Sequence, residues 1–198
     1  MQITLMGETF PSFMQPIRPK EDGTFQLENV GYTKHRLNFF PGTTGGYVKA
    51  VRWGEREITD NIVDLSGGPS AAPITIVLSM NGGEIDGTVT SDKPAAVDQA
   101  PTPPTGMVVL VPEPPQPENT SVYKIAPLDQ TGHFSVTAIK PGEYRLYAWE
   151  DVESGSWYDA EFLKKFDSKG VKVSIKESSK SSAVVPISPA EATAAAAH

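Results

Sequence analysis

Two stretches of the chain match each other position by position. DGTFQLENVGYTKHRLNFF runs from Asp22 to Phe40, and TGHFSVTAIKPGEYRLYAW runs from Thr131 to Trp149. Gly23 meets Gly132, Phe25 meets Phe134, Leu27 meets Val136 and Val30 meets Ile139. Arg36 meets Arg145 and Leu37 meets Leu146, all at one spacing of 109 residues (Gly23 to Gly132). A repeat of that period fits one small β-sandwich per copy. The shared positions are a turn glycine, alternating apolar residues and a strand pair, with no nucleophile or base among them. What was duplicated is a way of packing. The chain therefore divides into domain 1 (residues 1–80) and domain 2 (81–188), joined near Asn81-Gly82-Gly83, and residues 189–198 are expected to be a disordered tail.

Period-two alternation is frequent in both copies and helical periodicity is scarce. Strands are predicted over Ile3–Leu5, Thr24–Val30, Arg36–Phe40, Tyr47–Trp53, Ile74–Met80 and Glu84–Thr90. Further strands follow at Met107–Pro112, Val122–Ala126, His133–Ile139, Tyr144–Glu150, Val171–Ile175 and Ala183–Ile187. The 198 residues include 17 Gly and 18 Pro, which disfavour helix interiors and mark turns. The expected fold class is all-β: two tandem seven-stranded sandwiches with one short helix, Asp159–Phe166. Asp159 would cap that helix, and Phe162 and Phe166 would share a face. Two Pro-rich stretches, Ser91–Gly106 and Pro112–Ser121, are expected to be extended, mobile loops. The copies are unequal. Domain 2 has Glu84–Thr90 ahead of MVVLVP, whereas domain 1 starts at QITL, which corresponds to Val108–Val111. Either the chain is cut inside the first domain, or a partner supplies the opening strand and a homo-oligomer could form through the open edge.

Composition removes several functions. There are no cysteines, so thiolate catalysis, disulfides and Cys-based zinc sites are excluded. The net charge of −7 and the lack of a Lys/Arg run argue against nucleic acid as a partner. No apolar run reaches the ~20 residues of a membrane-spanning helix. The start MQITLMGETF lacks the basic leader and apolar core of a signal peptide.

The clearest local motif lies in domain 2. Asp129 can accept bonds from backbone amides in its turn, and Gly132 tolerates positive φ. Phe134 then points inward. Pro141-Gly142 suits the centre of a type II turn. Tyr144 follows, its ring suited to the core and its hydroxyl to a backbone partner, with Leu146 and Ala148 on its face and Arg145, Tyr147 and Trp149 on the other. Three further groups are candidate sites. Trp149, Trp157, Tyr158 and Tyr147 would form a stacking platform for sugars or peptides if exposed, or a cover for the sandwich if buried. Trp53 is treated the same way. Asp151, Glu153 and Asp159, with Glu150 nearby, could gather Ca²⁺ on a loop, although EF-hand spacing is absent; no other cofactor is expected. His35, His133 and His198 are too scattered for a metal site or a catalytic triad.

GEIDGTV, VVLVP, YKIAPLDQTGHFSVTAIKPGEYRLYAWED and WYDAEFLKKF together resemble the carboxypeptidase regulatory-like domain family, in particular tandem copies at the C-terminal end of large exported bacterial proteins. The resemblance covers nearly all of residues 20 to 187. It is good in domain 2 and weaker in domain 1, where Tyr32-Thr33 replaces the Pro-Gly turn and His35 stands at the tyrosine position. It implies a transthyretin-like (Ig-like) sandwich, similar to Gram-positive adhesin repeats, in an extracytoplasmic setting. The hydroxyisourate hydrolases of this fold end in a Tyr-Arg-Gly-Ser signature that this chain lacks. The last strand of domain 2 has no Asn for an adhesin-type Lys–Asn crosslink. The implied function is a non-enzymatic spacer or protein-interaction module, whose partners are other domains of the parent chain or another protein. The alternatives are carbohydrate or peptide binding through the aromatic platform, and self-assembly by strand donation.

Overall fold

The computed structural model describes residues 2–7, 16–40, 46–58, 61–68, 70, 72–91 and 103–196. It forms an all-β protein with two compact units, Met1–Met80 and Asn81–His198. The first holds β1 (Gln2–Gly7), β2 (Lys34–Phe40), β3 (Tyr47–Trp53), β4 (Arg56–Ile58), β5 (Ile62–Asp64) and β6 (Ile74–Ser79). They make two three-stranded sheets, β1-β2-β5 and β4-β3-β6. Alternation along each strand sends Ile3, Leu5, Leu37, Phe39, Val51 and Val63 into one core. Six strands stand where seven were expected, counting described residues. Thr24–Val30 is the strand prediction that fails, because it has no ladder partner. Its alternation persists all the same: Phe25 and Leu27 are half-buried while Gln26 and Glu28 are exposed. The short strands β4 and β5 were not predicted.

The second unit holds β7 (Gly83–Thr90), β8 (Met107–Pro112), β9 (Lys124–Pro127), β10 (His133–Ile139) and β11 (Gly142–Trp149). These are followed by α1 (Ala160–Lys165), β12 (Val171–Ile175), β13 (Lys180–Ser188) and α2 (Ala190–Ala196). The strand order is β10-β7-β13-β11-β8-β9, with β12 pairing β11. β13 runs parallel to β7 as far as Pro186, then pairs its last residues, Ile187 and Ser188, with Ala148 and Trp149 of β11. One strand thus ties the two layers together. Ile85, Leu110, Phe134, Val136, Leu146 and Val185 fill the space between them.

β8 and β11 are buried on both faces. Val109, Val111, Tyr147 and Trp149 point away from the sandwich core and are covered by Trp157, Phe162, Leu163 and Phe166. The cover is held by the predicted helix α1, whose N-cap Asp159 accepts a 2.8 Å bond from the Glu161 amide. The expected disordered tail is instead α2: alanine has the highest helix propensity, and buried Thr193 donates a 2.7 Å bond to the Asp151 carbonyl. The second Pro-rich loop is also folded back, the Gln116 amide donating to the Tyr123 hydroxyl at 2.9 Å. Most of the first, residues 92–102, lies outside the described residues.

The two stretches that match in sequence share backbone details. Lys20 N–H bonds Thr24 C=O and Gly23 N–H bonds Lys20 C=O, at 2.8 and 2.9 Å. Asp129 N–H bonds His133 C=O and Gly132 N–H bonds Asp129 C=O, at 2.9 and 3.1 Å. Gly23 and Gly132 have φ of +81° and +77°, and Asn29 and Ala138 both have +55°. Each pair keeps the sequence spacing. One register differs from expectation. Leu5 pairs with Leu37 as Leu110 pairs with Leu146, so QITL corresponds to Met107–Leu110. The alignment to Val108–Val111 was one residue out, which would have turned every β1 side chain to the wrong face. Between the equivalent strand pairs the copies diverge. The first unit places β3 and β4 between β2 and β5, and the second places α1 between β11 and β12.

Candidate interaction site

The Asp129 motif is a fold device. Its Oδ1 accepts from the Thr131 amide (2.8 Å), the Thr131 hydroxyl (2.7 Å) and the His133 amide (2.9 Å). The Thr131 hydroxyl, followed by the His133 amide, holds the carboxyl below the usual aspartate range. Phe134 is buried, and the Tyr144 hydroxyl donates to the Lys140 carbonyl at 2.8 Å while its ring lies in the core. The Pro141-Gly142 turn is not type II. Gly142 begins β11 with φ +159°, far from the +80° or so that type II requires. The left-handed residue is Ala138, beside the register shift between Val136 and Ile139. In the first unit His35 occupies the place of Tyr144 and does the same work. Its Nε2 donates to the Gly31 carbonyl at 2.7 Å, and Gly31 is the counterpart of Lys140. His35 is buried, and its Nδ1 has no partner among the described residues.

The aromatic platform is not on the surface. Trp149 is fully buried, Trp157 and Tyr147 are nearly so, and Tyr158 is half-buried. Trp149 stacks on Tyr147 at 5.4 Å and meets Phe166 edge-on at 5.7 Å, while Tyr158 meets Tyr123 edge-on at 4.9 Å. The rings bind the helical cover to the sheet, because long aromatics on the outer face of a strand bury more area under a helix than in water. The acidic loop does not form a cation site either. Asp159 uses its carboxylate as the helix cap, Glu153 and Asp151 are exposed, and no three acidic or histidine side chains converge among the described residues. His133 lies 3.8 Å from Asp129 and 4.0 Å from Asp86, in a half-buried position.

Sequence reasoning missed two features. Arg145, on the outer face of β11, bonds Glu113 at 2.7 Å and also reaches Asp167; Lys172 adds a 3.2 Å contact to Glu113. The Arg145 guanidinium holds the Glu113 carboxyl below its ordinary range. The partners are 32 and 22 residues from Arg145, so no local spacing announces them. The second feature is a cleft of about 530 Å³ in the first unit, lined by Leu5, Phe25, Leu27, Trp53, Val63 and Ile74. In the second unit the counterparts of Phe25 and Leu27 are paired residues of β10. There β7 lies against β10, with Gly87 opposite Phe134 and Ile85 opposite Val136. The sequence signal was the repeat itself: Phe25 and Leu27 match Phe134 and Val136, yet among the described residues Thr24–Val30 pairs with no strand.

The family described as polysaccharide lyase family 4, domain II (fn3_3) matches residues 101–181, within the second unit and over less than half of the chain. This supports an Ig-like β-domain and does not single out the carboxypeptidase regulatory-like family. No curated protein matches. Among solved structures, the chain is similar to a DUF3823 family protein from Parabacteroides merdae, at 20% identity and a TM-score of 0.34, over 55% of this chain and 46% of that one. It is similar to GBS52, the minor pilin of Streptococcus agalactiae, at 12% identity and a TM-score of 0.35, over 93% and 81% of the two chains. It is also similar to the Bacillus anthracis TIE protein, at 12% identity and a TM-score of 0.29, over 93% of this chain and 29% of that one. The chain spans less than half the length of the first of these structures.

Proposed function

We propose that this chain is a non-enzymatic β-sandwich module that spaces or joins other parts of a larger exported protein, with surface contacts rather than chemistry as its output. One observation carries this reading: the side chains and backbone turns that recur between the two copies are all spent on structure. Asp129 and its counterpart turn, Tyr144 and His35, and the paired leucines close turns, anchor corners and fill cores. The extracytoplasmic setting rests on the resemblance to exported repeat domains and on the lyase-associated family match. The same match makes a polysaccharide-bearing environment a reasonable place for such a module, and tandem carboxypeptidase regulatory-like repeats remain the finer family assignment we favour.

The test is direct. Affinity electrophoresis through gels containing pectic and bacterial polysaccharides is expected to show no retardation. Incubation with the same polymers is expected to release no unsaturated or reducing ends. Retardation that survives denaturation and refolding would replace the spacer reading with carbohydrate binding, and product release would replace it with catalysis.

A further inference from the structure

We infer that Lys124 is a carbonyl-reactive amine, the site at which this chain takes up a small aldehyde as an imine. The inference goes beyond the interaction-module reading and does not depend on it. Lys124 opens β9, an edge strand that pairs with β8 and, among the described residues, with no other strand. The polarity of β9 is inverted. Ile125 is exposed, whereas Lys124 and Ala126 share the opposite face. That face is the inner one. Lys124 stands opposite Leu110 and Ala126 opposite Val108, and Leu110, Val108 and Ala126 all belong to the core between the layers. The lysine is half-buried there.

Other lysines are placed differently. Lys164, Lys172 and Lys180 are exposed and contact Glu161, Glu113 and Glu84 at 2.6, 3.2 and 3.1 Å. Lys20, Lys34 and Lys176 are exposed. Lys124 has no carboxylate within salt-bridge distance among the described residues. Burial without a counter-charge disfavours the ammonium, and it holds Lys124 below the ordinary lysine range. Only the neutral amine carries the lone pair that attacks a carbonyl. Nζ bonds to the aldehyde carbon as the carbonyl π pair moves to oxygen. A proton passes from nitrogen to that oxygen, giving a carbinolamine. The second nitrogen proton and the hydroxyl then leave as water, and the C=N bond forms. The imine is uncharged, so surroundings that disfavour the ammonium accept it. An inward lysine also guards an edge strand against strand addition. A guard needs the charge, whereas a reactive amine needs its loss.

Reductive trapping tests this. The full chain is incubated near neutral pH with limiting glycolaldehyde and sodium cyanoborohydride, and the labelled lysines are quantified by peptide mapping. Lys124 is expected to be trapped at least about fivefold faster than Lys20, Lys34 and Lys176. The preference is expected to shrink as the pH rises towards the ordinary lysine value of about 10.4, where exposed amines also lose their protons. It is expected to vanish in urea, where burial is lost. Trapping no faster than at the exposed lysines would overturn the inference and leave Lys124 as an edge guard only. A preference that holds unchanged at high pH would overturn it as well, because access rather than a neutral amine would then be its cause. So would a preference that survives in urea, which would trace it to local sequence.

Discussion

At position 35 of one copy and position 144 of the other, two different side chains reach the carbonyl four residues back. A phenol donates from its hydroxyl and an imidazole from Nε2, and in both cases the ring is buried. Tyr144→Phe is expected to cost about 1 kcal/mol, the worth of one such bond, read from the urea midpoint. His35→Tyr restores the second copy's residue and is expected to cost less than His35→Phe in the same measurement. The turn aspartate gives a pH signature. The folded carboxyl of Asp129 is held below its ordinary value. Its contribution is therefore complete above the unfolded pKa of about 3.9 and lost as the pH falls through the folded value. Asp129→Asn removes that dependence, so the stability gap between parent and variant should shrink as denaturation is repeated from neutral pH down to about pH 3. These residues were legible in the sequence because their bonds span two to four positions. Arg145 was not, because Glu113 and Asp167 reach it only once β8 and the segment after α1 are in place.

Among the elements, the central pair of the second unit was half legible. Alternation in YRLYAW placed Tyr144 and Leu146 on one face and Tyr147 and Trp149 on the other, as the two core clusters confirm. The exposure of the second face could not follow from alternation, since a strand has two faces and only the fold decides whether both are covered. The neighbour held the clue. MVVLVP is a continuous apolar run, the pattern of a strand buried on both sides. Phe162 lies 5.9 Å from Trp149 in the covering layer. Phe162→Ala is expected to destabilise the second unit by about 3 kcal/mol or more, and Asp159→Ala by about 1 kcal/mol through loss of the helix cap, both read by urea denaturation. A larger effect is expected in β7. Gly87→Val puts branched carbons where Phe134 and the Ala183 carbonyl already sit, and circular dichroism should show loss of the second unit's fold rather than a shifted midpoint.

For the whole molecule, each unit has its own core, and among the described residues the first has six strands and the second seven. Tryptophan separates them optically: Trp53 belongs to the first, Trp149 and Trp157 to the second. Urea should give two fluorescence transitions, with the first unit unfolding earlier because its cleft leaves apolar surface uncovered. Trp53→Phe should remove only the early one. Division into two units was legible because one sequence spacing held through a turn, a strand pair and a corner. The second helix was not, since a run of alanines has propensity but no pattern to say what it will rest on. The crossing between the paired strands has a practical consequence. In one copy the chain leaves β2, makes a hairpin and returns as β5; in the other it leaves β11, makes a helix and returns as β12. Two unrelated inserts occupy one slot while the frame around them is held. The first insert supplies one of that unit's two sheets and the buried Val51, so the graft point for a foreign epitope is its two-residue turn at Gly54-Glu55 rather than its strands.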